Sequence, residues 1–224
     1  MSLELKFLRD NCTRNGFHFD EEHYNKLAHF IEFLLEWNQA YNLISRRDEP
    51  NIVTRHIVES LGVLVVLAIP KDSLVLDVGS GAGFPAVPMK ILRPDLQFTL
   101  FESNGKKVSF LKNVAFKLGL SGFAVHERRV ESVKQNEIPA QSFVTARSVA
   151  KLHILWKWTR DLLEPQGSLL AMKGGDVGSE ISLMSNFDDV LMISTFTFPD
   201  WLAIERSRLL VGVKKKGARV GDAQ

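Results

Sequence analysis

A glycine-rich turn directly behind a short apolar run is the strongest constraint that this sequence places on its fold. Residues 75–85 read VLDVGSGAGFP, so an apolar run that ends at Asp77 is followed by glycines at three alternate positions. A turn without side chains between a strand and a helix lets the backbone approach a bound molecule closely. The sequence therefore predicts a βα unit with a ligand at the carboxyl end of its strand.

Composition indicates an ordinary globular protein. The 224 residues are 45% hydrophobic, and 28 Lys and Arg against 26 Asp and Glu give a net charge of +2, too small by itself to indicate nucleic-acid binding. The single cysteine, Cys12, cannot form an intramolecular disulfide and favours a reducing compartment. The first residues lack the apolar core of a signal peptide, and the most apolar run, 57–70, is shorter than the roughly 20 residues of a membrane span. We expect a cytoplasmic protein without membrane segments.

The chain changes character near residue 70. Apolar residues recur at three- and four-residue spacing up to Tyr41, which predicts an amphipathic helix with Asp20 as its N-cap. A second helix is predicted to begin near Ile52, and beyond residue 72 short apolar runs alternate with helical patterns, which is typical of βα units. The expected organisation is a helical N-terminal extension, an α/β core and a flexible tail: residues 1–70, 71–216 and 217–224.

The alternating part predicts a doubly wound, mostly parallel sheet. Five short apolar runs are the strand candidates: 74–78, 97–101, 123–126, 143–146 and 168–172. Helices are predicted from Pro85 to Arg93 and over the apolar face that ends at Gly119. Two final runs, 192–198 and 209–213, are too close together for a crossover helix, so we expect an antiparallel hairpin there.

Three kinds of ligand compete for the glycine-rich turn. A phosphate-binding P-loop needs a Gly-Lys pair, and the first lysine after the turn is Lys90. A dinucleotide fingerprint needs a third glycine where Phe84 stands. S-adenosylmethionine remains, and Glu102 at the end of the next strand could accept hydrogen bonds from both ribose hydroxyls. A binding module for dinucleotides and an enzyme for small molecules remain open alternatives.

Longer segments carry a family resemblance. The run DVGSGAGFPAVPMKILRPDLQFTLFESNGKKVSFLKNV resembles the cofactor-binding core of the glucose-inhibited division protein B family, bacterial enzymes that methylate a guanine N7 in 16S ribosomal RNA. Further segments follow in the family's order: WNQAYNLISRRDEPNIVTRHIVESL upstream of this run, and RRVES, VTARSVA and MKGG downstream of it. The resemblance therefore spans residues 27–216. Four positions differ from the family's usual residues: Ile44, Glu59, Ala86 and Ser148.

The resemblance implies a Rossmann-like class I methyltransferase fold, with S-adenosylmethionine as the cofactor and 16S ribosomal RNA as the partner, as naked RNA or within a small-subunit particle. It also implies roles for individual residues. Arg147 is the implied catalytic residue at the mouth where methyl donor and substrate meet. The residues implied to bind the cofactor are Gly79, Gly81, Phe84, Glu102, Ser103, Asn104, Val130, Glu131 and Arg147.

The chemistry expected of guanine N7 agrees with what the sequence lacks. N7 carries a lone pair and no proton, so its methylation needs positioning and no general base. Cys12 is far in sequence from the strand ends, and no Pro-Pro loop of the kind used for exocyclic amines is present. Arg147 could contact the target purine or the cofactor carboxylate, or simply pair with a neighbouring acid, and Lys173 is a second candidate at the same rim.

Partners are less constrained than the cofactor. Clusters of basic residues could contact RNA phosphates, although each alone is commonly a solvated surface. The clusters are Arg46/Arg47, Lys106/Lys107 with Lys112, Arg128/Arg129, and Lys214/Lys215/Lys216 with Arg219. The histidines show no metal-binding spacing, so we expect no metal, and we expect His56 to be a structural residue or to lie at the RNA-facing rim. A monomer is the simplest expectation.

Overall fold

A seven-stranded mixed sheet forms the centre of the computed structural model, which describes residues 2–217. The strands are β1 Leu74–Val78, β2 Gln97–Glu102, β3 Phe123–Glu127, β4 Gln141–Arg147, β5 Leu163–Gly174, β6 Val190–Phe196 and β7 Arg208–Lys215. They lie in the order β3-β2-β1-β4-β5-β7-β6, and the first five strands in this order, β3 to β5, are parallel to one another. The expected doubly wound, mostly parallel sheet is confirmed.

The last strand of the chain lies inside the sheet. β7 pairs antiparallel with β5 on one side and with β6 on the other, so β6 is left at the edge. The expected C-terminal hairpin is therefore present, although the sequence pattern alone did not indicate which of its strands joins the parallel part. The buried side chains of β7, such as Leu210 and Val213, explain the choice, because β6 has an exposed Met192.

Helices cover both faces of the sheet. The helices are α1 Ser2–Arg14, α2 Glu21–Tyr41, α3 Val58–Val66, α4 Ala86–Leu92, α5 Gly105–Lys117, α6 Leu152–Thr159 and α7 Gly178–Ser182. A π-helical segment, Ile52–Ile57, runs directly into α3, and short 3₁₀ turns occur at Glu49–Asn51, Val130–Ser132, Arg160–Leu162, Leu183–Asn186 and Asp200–Leu202. Among the described residues, no helix is long and apolar enough to cross a bilayer.

Helix α2 begins and ends as the sequence predicts. The Asp20 side chain accepts a hydrogen bond from the backbone N–H of His23 at 3.0 Å, and His23 Nδ1 accepts one in return from the Asp20 N–H at 3.3 Å. This reciprocal cap satisfies two backbone donors at the helix start. The helix ends at Tyr41, because the following residue, Asn42, has a left-handed conformation (φ 47°) that stops further propagation.

Aromatic packing joins the N-terminal helices to the core. Phe33 and Trp37 of α2 lie 5.7 and 5.6 Å, between ring centroids, from Phe110 of α5. Phe30 lies 5.4 Å from Phe84 in the glycine-rich turn. Because these rings bury large apolar areas, α2 is fixed against the helices behind the turn. The segment that follows, from the π-helix into α3, is thereby held near the carboxyl edge of β1 and β4.

The tail expected for 217–224 falls, from residue 218 onward, outside the described residues.

Candidate cofactor and substrate site

The glycine-rich turn presents bare backbone at the carboxyl end of β1. Gly79 and Gly81 have φ angles of 62° and 55°, in the left-handed region that favours glycine. A Cβ on Gly79 would lie 2.9 Å from Cγ2 of Val149, whereas the nearest atom to a Cβ on Gly81 would be the Gly79 carbonyl oxygen at 3.8 Å. Val149 therefore leaves no room for a side chain at Gly79, whereas the space in front of Gly81 is open.

The Glu102 carboxylate is held against this turn. Its Oε2 accepts a hydrogen bond from the Gly81 N–H at 2.9 Å, and its Oε1 accepts one from the Asn104 N–H at 2.8 Å. Each carboxylate oxygen can accept further hydrogen bonds, so the orientation leaves acceptor capacity for two neighbouring hydroxyls. The Asn104 side chain has another task, because its Oδ1 caps α5 by accepting from the N–H groups of Lys106 and Lys107.

A cavity of about 180 Å³, which we call the nucleoside cavity, opens beside Glu102. Several residues singled out in the sequence meet there: Gly79, Glu102, Ser103, Val130 and Glu131 line it. Val130 is 3% exposed and forms part of its apolar wall, and Glu131 is exposed at the opening. Trp158 of α6 also lines the cavity, which the sequence pattern did not indicate because α6 reaches this place only through tertiary packing.

Asp77 of β1 is buried, and half of its carboxylate is unpaired among the described residues. Its Oδ1 accepts a hydrogen bond from the Thr145 hydroxyl at 2.7 Å, whereas Oδ2 is buried and has no partner among the described residues. Burial raises the pKa of Asp77 to about 6, so a nearby cation would favour its ionised form. The unpaired oxygen of Asp77 could accept from a cationic amino-acid group, and Glu102 could accept from a ribose diol. Together they fit a nucleoside that carries such a group.

A second cavity, the target cleft, of about 360 Å³, opens on the other side of the turn. The turn residues Gly79, Gly81 and Phe84 form one wall, and Arg147 at the end of β4 lies next to them. The opposite wall comes from the N-terminal extension and β7. It carries four charged side chains, Asp48, Arg55, Glu59 and Arg208, and also includes His56.

Arg147 is held from three sides in this cleft. Its Nε lies 3.3 Å from Oε2 of Glu59, its Nη2 contacts His56 Nδ1, and its guanidinium lies over the Phe84 ring at 5.7 Å from the centroid. Burial lowers the pKa of Arg147, and the Glu59 charge counteracts this. Nη1 is buried and has no partner among the described residues. Pairing with an acid, one of the expected alternatives, is therefore present, but with one nitrogen still unused.

His56 is buried and uncharged at neutral pH. Its ring stacks on Phe84 with centroids 4.9 Å apart and an interplanar angle of 23°. Burial, together with the positive charge of Arg147, lowers the pKa of His56 to about 4. The expectation that His56 is structural or at the rim holds in part: it lines the target cleft and supports Arg147.

Other candidates from the sequence have different partners. Lys173 donates to the Ala150 carbonyl at 2.8 Å and pairs with Glu180 at 2.7 Å, so it is not simply solvated. Lys215 donates to the carbonyls of Arg160 and Leu163 and so is occupied structurally. Among the described members of the basic clusters, only Lys107 lines the target cleft, and Arg128 with Arg129 lines the nucleoside cavity. Arg219 lies outside the described residues.

Glu59 and Arg208 line the cleft but were not identified as site residues from the sequence. Glu59 bridges two arginines, with Oε2 towards Arg147 and Oε1 3.3 Å from Arg208 Nε. The one available signal was a charge inside the most apolar segment of the chain, since an acid at a buried helical position requires a partner. Arg208 had no comparable signal, because it follows a run of polar residues at the start of β7.

The chain matches one family of known proteins over most of its length. The family model GidB, described as rRNA small subunit methyltransferase G, matches residues 23–196. Proteins named ribosomal RNA small subunit methyltransferase G are similar to this chain. The one from Halorhodospira halophila is 38% identical over 180 residues, which is 80% of this chain and 83% of that protein. The one from Chromobacterium violaceum is 35% identical over 201 residues, or 89% and 93% of the two chains.

Solved structures share the fold. TYW2 from M. jannaschii, in complex with AdoMet, matches with a TM-score of 0.55 and 12% identity, over 72% of this chain and 77% of that chain. At this identity the likeness concerns the architecture of the sheet and its helices, and it agrees with the Rossmann-like fold described above.

Proposed function

Since this chain belongs to the GidB family, rRNA small subunit methyltransferase G, we propose that it transfers a methyl group from S-adenosylmethionine to the N7 of a guanine in 16S ribosomal RNA. One geometric observation supports the cofactor most directly. The Glu102 carboxylate is fixed by the N–H groups of Gly81 and Asn104 and lines a cavity of about 180 Å³, and Asp77 of β1 has a buried oxygen without a partner among the described residues. This donor and acceptor set suits a ribose and an amino-acid group on opposite sides of one glycine-rich turn.

Each cofactor-binding residue has a proposed place. Glu102 and Ser103 hold the ribose, with Asn104 acting through its backbone and its cap on α5. Val130 and Glu131 lie at the adenine. Gly79, Gly81 and Phe84 surround the amino-acid and sulfonium region. Bound S-adenosylmethionine would supply a methyl group activated by a sulfonium.

Arg147 is proposed to contact the target purine. The guanine O6 and N7 atoms are both acceptors, and an arginine nitrogen that donates to O6 leaves the N7 lone pair free. The unpaired Nη1 of Arg147 supports this role, and its place above Phe84 at the cleft supports an orienting contact. Positioning is then the main contribution of the chain to catalysis, with no general base.

The proposal extends to the parts of the chain, its oligomeric state and its location. Residues 1–70 act as an extension that closes one side of the target cleft, and residues 71–216 act as the methyltransferase core. The enzyme acts as a monomer, needs no metal, and works in the cytoplasm on ribosomal RNA, either naked or within a small-subunit particle.

Mass mapping of 16S ribosomal RNA tests the proposal. A strain that lacks the gene should lose one 7-methylguanosine, and the native gene should restore it. Arg147→Ala should not restore it, whereas Lys6→Ala, at an exposed position on α1, should. Intact 7-methylguanosine in the deletion strain would refute the proposal. Thermal stabilisation of purified Arg147→Ala by S-adenosylhomocysteine, with NADH as the control ligand, then separates a substrate role from a role in holding the cofactor.

A further inference from the structure

Another cavity lies beside the target cleft, and we call it the flanking cavity. It has a volume of about 360 Å³ and lies between the loop that follows β4 and the end of β5. Its floor includes the apolar side chains of Leu155 and Met172. Ser148 and Arg208 line both the flanking cavity and the target cleft, so the two spaces are direct neighbours.

Arg208 is fixed at the boundary between the two spaces. Its Nε lies 3.3 Å from Oε1 of Glu59, whose other oxygen faces Arg147. Gly174 lies against it without a side chain, since a Cβ there would come within 3.1 Å of Nη1 of Arg208. Among residues 2–217, Glu59 is the ion-pair partner found for Arg208, and this contact uses Nε. The two terminal nitrogens therefore remain free for an acceptor in either space.

The charges around the flanking cavity leave its rim positive. Lys173 is compensated, because it pairs with Glu180 at 2.7 Å, and Glu180 also accepts from the Leu152 N–H at 2.6 Å. Lys151 is exposed at the rim, and the Arg208 side chain is 31% exposed. An apolar floor beneath a cationic rim suits a base and a phosphate, the two chemically different parts of a nucleotide.

We propose that the flanking cavity binds the nucleotide next to the target guanosine, and that Arg208 binds the phosphodiester that joins these two nucleotides. The inference rests on the proposed function, since it takes the target cleft to hold guanosine. A guanidinium suits this place because its planar donors match phosphate oxygens in pairs. Glu59 orients Arg208 and Arg147 together, so the phosphate contact and the purine contact are set by one carboxylate.

The salt dependence of binding to 16S ribosomal RNA tests the phosphate contact. For Arg208→Ala, we expect the slope of log affinity against log salt concentration to fall by about one relative to the native protein. Arg208→Lys keeps the charge and should keep most of the slope. Lys6→Ala removes an equal charge from a residue that lines neither cavity, and it should leave the slope unchanged.

A chemical change in the RNA locates the contact. Replacing either phosphate next to the target guanosine of a synthetic 16S fragment by a neutral methylphosphonate should weaken binding by the native protein at one of the two positions. At that position the penalty should disappear in Arg208→Ala, because the charged partner is already gone. An equal penalty in both proteins, or a native slope for Arg208→Ala, would overturn the inference.

Two measurements distinguish a failure of the Arg208 contact from a failure of the proposed function. S-adenosylhomocysteine should stabilise Arg208→Ala thermally as it does the native protein, which shows that the variant is folded with an intact cofactor site. If the native protein neither binds nor methylates 16S ribosomal RNA, the proposed function itself is wrong. If the native protein does both and Arg208→Ala behaves identically, only the flanking-nucleotide contact is wrong.

Discussion

Glu59 and Arg147 form an ion pair inside the protein, with 3.3 Å between Oε2 and Nε and with side chains that are 9% and 13% exposed. The acid belongs to α3 and the arginine to the end of β4, so the pair joins the helical extension to the sheet. The extension therefore does more than cover apolar surface. It determines where the arginine at the target cleft can lie.

Glu59→Gln should destabilise the protein and impair methylation. Removing the charge leaves Arg147 and Arg208 close together without an anion, and breaking a buried pair in this way costs about 3 kcal/mol. The free energy of unfolding measured in urea checks the first effect. Glu137→Gln breaks the exposed ion pair with Arg128 and should cause a much smaller loss. Equal losses in the two variants would show that burial of the Glu59 pair is unimportant.

Gly81→Ala should weaken cofactor binding beyond its effect on folding. A Cβ at this position would make only an ordinary contact, 3.8 Å from the Gly79 carbonyl oxygen, yet φ of 55° makes any side chain unfavourable by about 1–2 kcal/mol. Gly119→Ala is the matched control, because its φ is 60°, no atom lies within 4 Å of its Cβ, and it lines none of the cavities described. Calorimetry with S-adenosylhomocysteine should show reduced affinity for Gly81→Ala alone. Equal affinities would argue against cofactor contact at Gly81.

Glu102→Gln should reduce the affinity for S-adenosylhomocysteine by roughly tenfold or more. The change removes the anionic acceptor for ribose hydroxyls, and a hydrogen bond to a charged group contributes about 1.5–3 kcal/mol. Glu127 stands opposite Glu102 on the neighbouring strand and is exposed outside the nucleoside cavity, so Glu127→Gln is the control. Similar losses in both variants would indicate a general electrostatic effect in place of a specific contact.

His56→Gln should change how stability depends on pH. The pKa of His56 is about 4 in the folded protein against 6.5 as the reference, so the unfolded chain binds more protons between these values. Stability therefore falls as pH decreases from 6.5 towards 4, by up to about 3 kcal/mol from this residue. Asp77, with a raised pKa, has the opposite effect in its own window. Urea unfolding at several pH values should show a weaker acid loss in the variant, and parallel curves would contradict the assignment.

The sequence predicts the central part of this fold well for a physical reason. Interior parallel strands are buried on both faces, so they appear as continuous apolar runs, and the predicted 74–78 matches β1 residue for residue. Helix α2 was equally clear because its cap and its apolar face agree. Helix α1 was not predicted, since its apolar positions Leu5, Leu8 and Cys12 stand among charges at the chain start. The π-helical segment looks like ordinary helix in its spacing.

The candidate site divides in the same way. The turn and Glu102 depend on local order along the chain, in which a strand, glycines and a second strand follow one another, so they could be identified from sequence. The bridge from Glu59 to Arg208 joins residues 149 positions apart and depends on how α3 packs against the sheet edge. Whether each arginine or lysine is paired or free likewise depends on neighbours that are distant in sequence.

The interior position of β7 has a consequence for synthesis. A chain made from its N-terminus has all other strands available before Arg208–Lys215 emerges, yet β5 and β6 cannot be joined until this segment enters between them. A nascent or prematurely terminated chain that ends before residue 208 lacks the strand that completes the sheet. It also lacks Arg208, which lines the target cleft. Completion of the sheet and completion of this wall of the target cleft are thus a single late step of folding.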